Sequence, residues 1–419
     1  MNHLYLSGAK SAKEYLLSFC KWSAIALVSG GLCGLAGVAF HYAVDWATEL
    51  RLGYPWLLFC LPAAGLLIVW LYQKAGMGAD KGTNMILDSV HQGEKPPLRL
   101  AVLIFVSTAL THLCGGSSGR EGAALQIGGS LGNALASRLR LSEKGHTMLI
   151  MCGMSGLFSA LFGTPLTATI FSIEVISVGI LHYSALLPCL LSALVAYEIS
   201  VALGVIPTAF PLLGLPEHNL LNMARVAGLA LICALVSILF CVCMHQAGHW
   251  YKRLLKNPYL RVAVGAVLVI GLTLLCGTRD YNGAGMDVVA RALAGQGRPE
   301  AFLLKILFTA LTLGAGFKGG EIVPSFFIGA TLGCAVGPLL GLDPAFAAAI
   351  GLVAVFCGVV NCPMASLVLS MELFGGSGML LFALACAVSY LMSGPFSLYS
   401  SQKLVYSKLE PTFVNSKTL

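Results

Sequence analysis

Apolar residues run through this chain in twelve stretches, at 23–47, 56–72, 98–114, 148–162, 166–180, 185–203, 226–244, 262–276, 302–313, 322–340, 345–360 and 380–392. Neither the alternation of a half-buried strand nor the one-sided stripe of a surface helix organises them, so each reads as a helix apolar all round. Several fall short of the roughly 20 residues that a clean crossing of a bilayer requires. Short apolar segments interrupted by Gly and Pro predict tilted and broken helices around a polar pathway.

One interruption puts charge where a membrane helix would refuse it. Between Cys114 and Gly132 the chain reads Cys-Gly-Gly-Ser-Ser-Gly-Arg-Glu-Gly before turning apolar, which places Arg120 and Glu121 between two long apolar runs. The glycines suit an irregular backbone, and the residues after them predict a helix beginning near Arg120 with its positive dipole end exposed. Such a terminus attracts anions. On these residues alone Glu121 is either part of an anion site or an ordinary first-turn charge.

A repeat widens the pattern. Gly153-Met-Ser-Gly-Leu-Phe-Ser-Ala-Leu-Phe-Gly-Thr-Pro165, leading to Ser172 and Glu174, matches the spacing of Gly351 through Pro363, leading to Ser370 and Glu372. Upstream, aligning Ala123 with Pro324 lays Gly128 on Gly329 and Gly132 on Gly333. The chain therefore divides into a segment 1–21, a first membrane repeat 22–205, a second repeat 222–398 and a C-terminal segment 399–419. Pro165 and Pro363 suit first helical positions. Two breaks per half predict four helix ends aimed at one centre, with Glu174 and Glu372 as packing carboxylates near the far ends of their helices.

Composition agrees: the 419 residues are 57% hydrophobic and 10% charged, with a mean hydropathy of +0.85, which excludes a water-soluble domain. Most of the fourteen cysteines lie inside apolar runs, and Cys241 and Cys243 lack a second ligand pair, so neither a disulfide framework, a metal site nor a cofactor is implied. The net charge of +7 gathers in four groups, Lys10, Lys13 and Lys21; Lys74 and Lys81; Lys252, Arg253, Lys256 and Arg261; and Lys403, Lys408 and Lys417. These mark cytoplasmic connectors and cytoplasmic termini rather than a nucleic-acid surface, and they make the second repeat inverted relative to the first. No cleavable leader is expected in the first 22 residues, consistent with a bacterial inner-membrane protein.

Gly119-Arg-Glu-Gly122, Leu125-Gln-Ile-Gly-Gly129 and Gly319-Gly-Glu-Ile-Val-Pro-Ser-Phe-Phe-Ile-Gly-Ala330 resemble the CLC family of chloride channels and anion/proton antiporters, over both halves and in the family's order. The resemblance implies an all-α polytopic fold, an inverted repeat of tilted and broken helices, forming homodimers with one pathway per subunit. It makes Glu121 the gating carboxylate, which competes with the anion and swings away on protonation. It also draws Gly119, Arg120, Gly122, Ile322 and Val323 to the anion, with a tail tyrosine matched best by Tyr406 and alternatively by Tyr399.

Four departures resemble the family's fluoride/proton antiporter branch. The segment usually written Gly-Ser-Gly-Ile-Pro is Gly82-Thr-Asn-Met-Ile86; Ala123 replaces a proline; Glu321 replaces the phenylalanine segment beside the gate; and Val175 stands where chloride antiporters carry a proton-relay glutamate. The branch implies Glu321 as a second ion-coupling carboxylate and Thr83, Asn84 and Met85 on the anion path, with Val323 where some members carry threonine. For Glu321 the alternative is a loop carboxylate paired with Lys318. The expected activity is fluoride export in exchange for protons; the alternative is a chloride/proton antiporter or voltage-gated-type chloride channel of the same fold. A serine-protease reading of Gly153-Met-Ser-Gly156, with His182, His245 or His249 as base, fails because Ser155 has an apolar counterpart at Val353, and no enzyme is expected.

Overall fold

The computed structural model describes residues 2–78, 80–93, 95–410 and 412–419, with side chains from residue 12 onward. Eight helices occupy the first half: α1 Asn2–Gly53, α2 Leu61–Lys74, α3 Thr83–Gln92, α4 Leu98–Leu113, α5 Glu121–Arg138, α6 Glu143–Phe162, α7 Pro165–Glu174 and α8 Leu186–Ala202. Eight occupy the second: α9 Leu220–Leu254, α10 Pro258–Cys276, α11 Met286–Leu293, α12 Ala301–Ala315, α13 Ile322–Val336, α14 Pro344–Val360, α15 Pro363–Phe374 and α16 Met379–Met392. The same pairs pack in both sets, α5 on α6 as α13 on α14, α1 on α8 as α9 on α16, α6 on α8 as α14 on α16. Among the described residues seven helical stretches are long and apolar enough to cross a membrane, and several shorter apolar helices fill in between. The chain is a multi-pass membrane protein.

Helix α1 continues without a break through residue 21, where the sequence suggested a separate segment. Two short helices, α3 and α11, were hidden from the apolar pattern because ten and eight residues make too little of a hydrophobic run. Beside the helices, the tail joins one small sheet. Strand β1, Ser177–Val178, runs parallel to β2, Lys403–Tyr406, which pairs antiparallel with β3, Phe413–Lys417.

Glycine spacing explains why the repeat survives in the sequence. A β-carbon on Gly128 would collide with the carbonyl oxygen of Gly153, and one on Gly153 with the carbonyl of Gly128. Gly329 and Gly351 exclude each other's β-carbons in the same way. Backbones this close gain dispersion contact without any driving force from water, as membrane helices must. Phenylalanines then join the halves across the core: Phe162 lies 5.5 Å from Phe326, and Phe171 lies 5.8 Å from Phe356, centroid to centroid.

The proline-initiated helices α7 and α15 lie side by side, and each closes the other. Glu372, in the last turn of α15, accepts from the backbone N–H groups of Leu166 (2.9 Å) and Thr167 (2.7 Å) in the first turn of α7. Glu174, the last residue of α7, accepts from Met364 (3.1 Å) and Ala365 (2.8 Å) in the first turn of α15. These carboxylates are caps, so the expectation that α7 and α15 aim free ends at a common centre is corrected: their N–H groups are taken.

Two stability outcomes follow, read as melting of the purified protein in detergent. Gly351→Ala should cost about 1–3 kcal/mol through forced separation of α13 and α14, whereas Gly271→Ala, with nothing near its added methyl, should be neutral. Replacing Glu372 with Gln should cost about 1 kcal/mol through the weakened cap.

Candidate functional site

Two backbone breaks meet at the centre of the molecule. The first, between α4 and α5, and the second, between α12 and α13, exchange a pair of hydrogen bonds, Gly119 N–H to the Gly320 carbonyl at 2.7 Å and Gly320 N–H to the Gly119 carbonyl at 2.8 Å. Side chains could not fit here, because a β-carbon on Gly320 would collide with the backbone nitrogen of Gly122. One face of α12 braces the first break. Thr312 Oγ1 accepts from Ser117 N–H at 3.1 Å, and Thr309 Oγ1 bonds Ser117 Oγ at 3.1 Å. Lys305 lies a turn earlier on that face, fully buried, donating to the carbonyls of Tyr281 (3.2 Å) and Gly283 (2.7 Å). The loop it holds clamps the break through Asn282 Nδ2 to Gly115 O at 2.7 Å and Gly283 N to Gly116 O at 3.0 Å.

Three helices start beside this junction, α3, α5 and α13, and none carries a side-chain cap. Thr83 opens α3 with its hydroxyl 3.4 Å from the Gly122 carbonyl, and Gln126 Nε2 reaches Thr83 Oγ1 at 3.4 Å, so the starts of α3 and α5 touch. The uncapped first turns carry positive dipole ends and unused N–H groups. These three are the convergent ends, not the four the sequence suggested.

Both carboxylates lie here, Glu121 buried and Glu321 half-buried. Glu121, 1% exposed, folds back so that its Oε2 accepts from Arg120 N–H at 3.0 Å. Glu321, immediately before α13, has a buried Oε2 with no protein partner. The pairing considered for it does not form, because Lys318 binds Asp80 at 2.6 Å and lies over the Tyr72 ring. A buried carboxylate oxygen left without a donor is costly, which marks a place for a ligand or a proton.

A cavity of about 940 Å³ reaches this junction and is lined there by Thr83, Asn84, Gln126, Glu321, Tyr399 and Ser401. The choice between the two tail tyrosines is corrected. Tyr406 sits on β2, 43% exposed, with its ring against Phe413. Tyr399 is 1% exposed, its hydroxyl buried without a partner and close enough to Glu321 and Glu121 to feel both charges. Asn84 Oδ1 accepts from Ser401 N–H at 2.9 Å and so pins the tail beside α3. Met85, expected on the anion path, instead packs half-buried against the apolar core and does not line the cavity. Ile322 and Val323 are buried in the first turn of α13, as Gly122 is in that of α5. Arg120 was expected near the anion; its guanidinium is engaged by Asp45 at 2.9 Å. His112 is buried, 3.4 Å from the Gly119 carbonyl, and the Ser155 hydroxyl is taken by the Cys189 carbonyl.

Sequence reasoning missed Lys305, Asp45 and Gln126. A lysine inside an apolar run was the available signal for the first; Gln126 stood within a quoted motif without a role.

The family profile described as voltage gated chloride channel matches residues 64–394. A chloride/fluoride channel protein of Pseudomonas syringae pv. tomato is 37% identical over 402 residues, 94% of this chain and 89% of that one. The crystal structure of a CLC-type fluoride/proton antiporter superposes with a TM-score of 0.89 at 34% identity, covering 92% of this chain and 98% of that one. A slow cyanobacterial chloride/proton antiporter shares the fold, with a TM-score of 0.76 at 19% identity over 89% of this chain and 94% of that one. A profile match over most of the chain, together with a 37% identical relative that covers 94% of it, shows that the chain belongs to the CLC family of chloride channels and anion/proton antiporters.

Proposed function

We propose that this protein exports fluoride in exchange for protons. The observation that carries the reading is the pair of carboxylates, Glu121 and Glu321, on breaks hydrogen-bonded to each other, with a buried Glu321 Oε2 and a buried Tyr399 hydroxyl both lacking protein partners. Fluoride is small and firmly hydrated, so its water must be replaced by equally firm donors. The first-turn N–H groups of α3, α5 and α13, with the Thr83 and Tyr399 hydroxyls, are donors of that kind. The relatives named as a fluoride/proton antiporter and a chloride/fluoride channel support the same substrate.

In this reading Glu121 competes with the anion for the helix ends when ionised and vacates them when protonated, so one proton and the anion exchange occupancy. Glu321 supplies the second proton-bearing group that Val175 cannot, and its protonated form donates to the anion. The anion contacts are assigned to Thr83, Asn84, Gly119, Gly122, Ile322, Val323 and Tyr399. The protein works in the bacterial inner membrane as a homodimer with one pathway per subunit and cytoplasmic termini, the topology the basic clusters favour.

Reconstituted vesicles loaded with fluoride or chloride and followed with an anion electrode and a pH electrode test this. Fluoride efflux with proton uptake is expected; equal rates for both anions, or efflux without proton movement, overturns it. Glu121→Gln should abolish proton coupling while retaining folded protein. Removing the Tyr399 hydroxyl with Y399F should slow fluoride efflux about ten-fold or more, the loss of one hydrogen bond to an ion, and Y406F should leave it unchanged.

A further inference from the structure

Glu121 is sealed from solvent, yet its cation is shared with a carboxylate that is not. The Arg120 guanidinium presents Nε to Glu121 Oε1 at 3.8 Å and Nη1 to Asp45 Oδ1 on α1 at 2.9 Å. The other oxygen of Asp45 lies 3.0 Å from Nε2 of His41, one turn earlier on α1. Side-chain exposure falls along this line, 45% for Asp45, 19% for Arg120 and 2% for Glu121. Among the described residues, the polar or titratable groups of neighbouring elements closest to this stretch include His112 on α4 at the Gly119 carbonyl, Thr83 on α3 at the Gly122 carbonyl, Glu321 before α13 and Tyr399 in the tail.

Of the two contacts, the hydrogen-bonded one belongs to Asp45. Asp45 therefore draws the guanidinium away from Glu121 and takes up part of its charge, which works against the ionised form of the gate. His41 braces Asp45 in the orientation that keeps Arg120 turned outward.

We propose that Asp45 is a positioning residue for the gate: through its hold on Arg120, a half-exposed carboxylate on α1 sets the pH at which Glu121 exchanges its proton. The inference rests on Glu121 being the proton-coupled gate. With the Asp45 charge removed, Arg120 turns to Glu121, the ionised gate is favoured, and more acid is needed to open it.

Fluoride exchange by reconstituted wild-type, D45N, D45S, D45E and E121Q proteins, measured as a function of pH, tests this. D45N and D45S should move the half-maximal pH down by about one unit, and D45E should restore it, a pattern that a loss of packing would not produce. R120Q, which removes the countercharge, should move it up. An unchanged or upward-shifted profile in both D45N and D45S, or a D45E profile that stays with theirs, overturns the inference. If E121Q keeps the wild-type pH profile, the gate assignment itself fails; if E121Q is flat with pH while D45N and D45S superimpose on wild type, only the role of Asp45 falls.

Discussion

A membrane interior offers no water to an unpaired peptide group, so a chain that interrupts its helices there must satisfy the exposed backbone itself. The paired hydrogen bonds between Gly119 and Gly320 meet that constraint by setting one break against the other. Thr312 and Lys305 on α12, with Asn282, take up further backbone groups of the first break and its neighbouring loop, while Thr309 holds the Ser117 hydroxyl. What these partners leave over is the set of N–H groups at the starts of α3, α5 and α13. The site is thus built on backbone groups that this pairing leaves over.

That remainder has a sign. Helix starts are electropositive, and each of the two breaks places a carboxylate at the same junction, so negative charge can come from the protein or from outside it. An anion and a glutamate are then alternatives for one field, and a proton decides between them by cancelling the charge of the glutamate. The unused Tyr399 hydroxyl and Glu321 Oε2 differ in kind, one a donor and acceptor, the other an acceptor until protonated. A site furnished in this way can solvate a small anion in one protonation state and refill itself in another.

Much of this was readable from residues. Long apolar runs gave the large helices, and the recurrence of Gly128 with Gly153 and Gly329 with Gly351 exposed the repeat because those backbones touch and tolerate no side chain. Glu121 and Glu321 were conspicuous because charge inside apolar sequence is expensive. The tail was not readable. Tyr399 and Tyr406 are seven residues apart, and only the pairing of β2 with β1, together with the hold of Asn84 on Ser401, turns the first inward and the second outward. The caps on α7 and α15 were equally hidden, since a glutamate at the far end of one helix says nothing about the start of another two hundred residues away. Asp45 belongs with them: its partner Arg120 is distant in the chain, and its only local sign was His41 one turn before.

The reciprocal caps have a consequence for biosynthesis. When the first half has left the ribosome, the leading turn of α7 still lacks the carboxylate that will close it, because Glu372 has yet to be translated. Glu174 is meanwhile a buried-to-be charge with no helix start to receive it. The first half therefore cannot reach its final state before α15 has been made, and the mutual closure of α7 and α15 comes late in assembly.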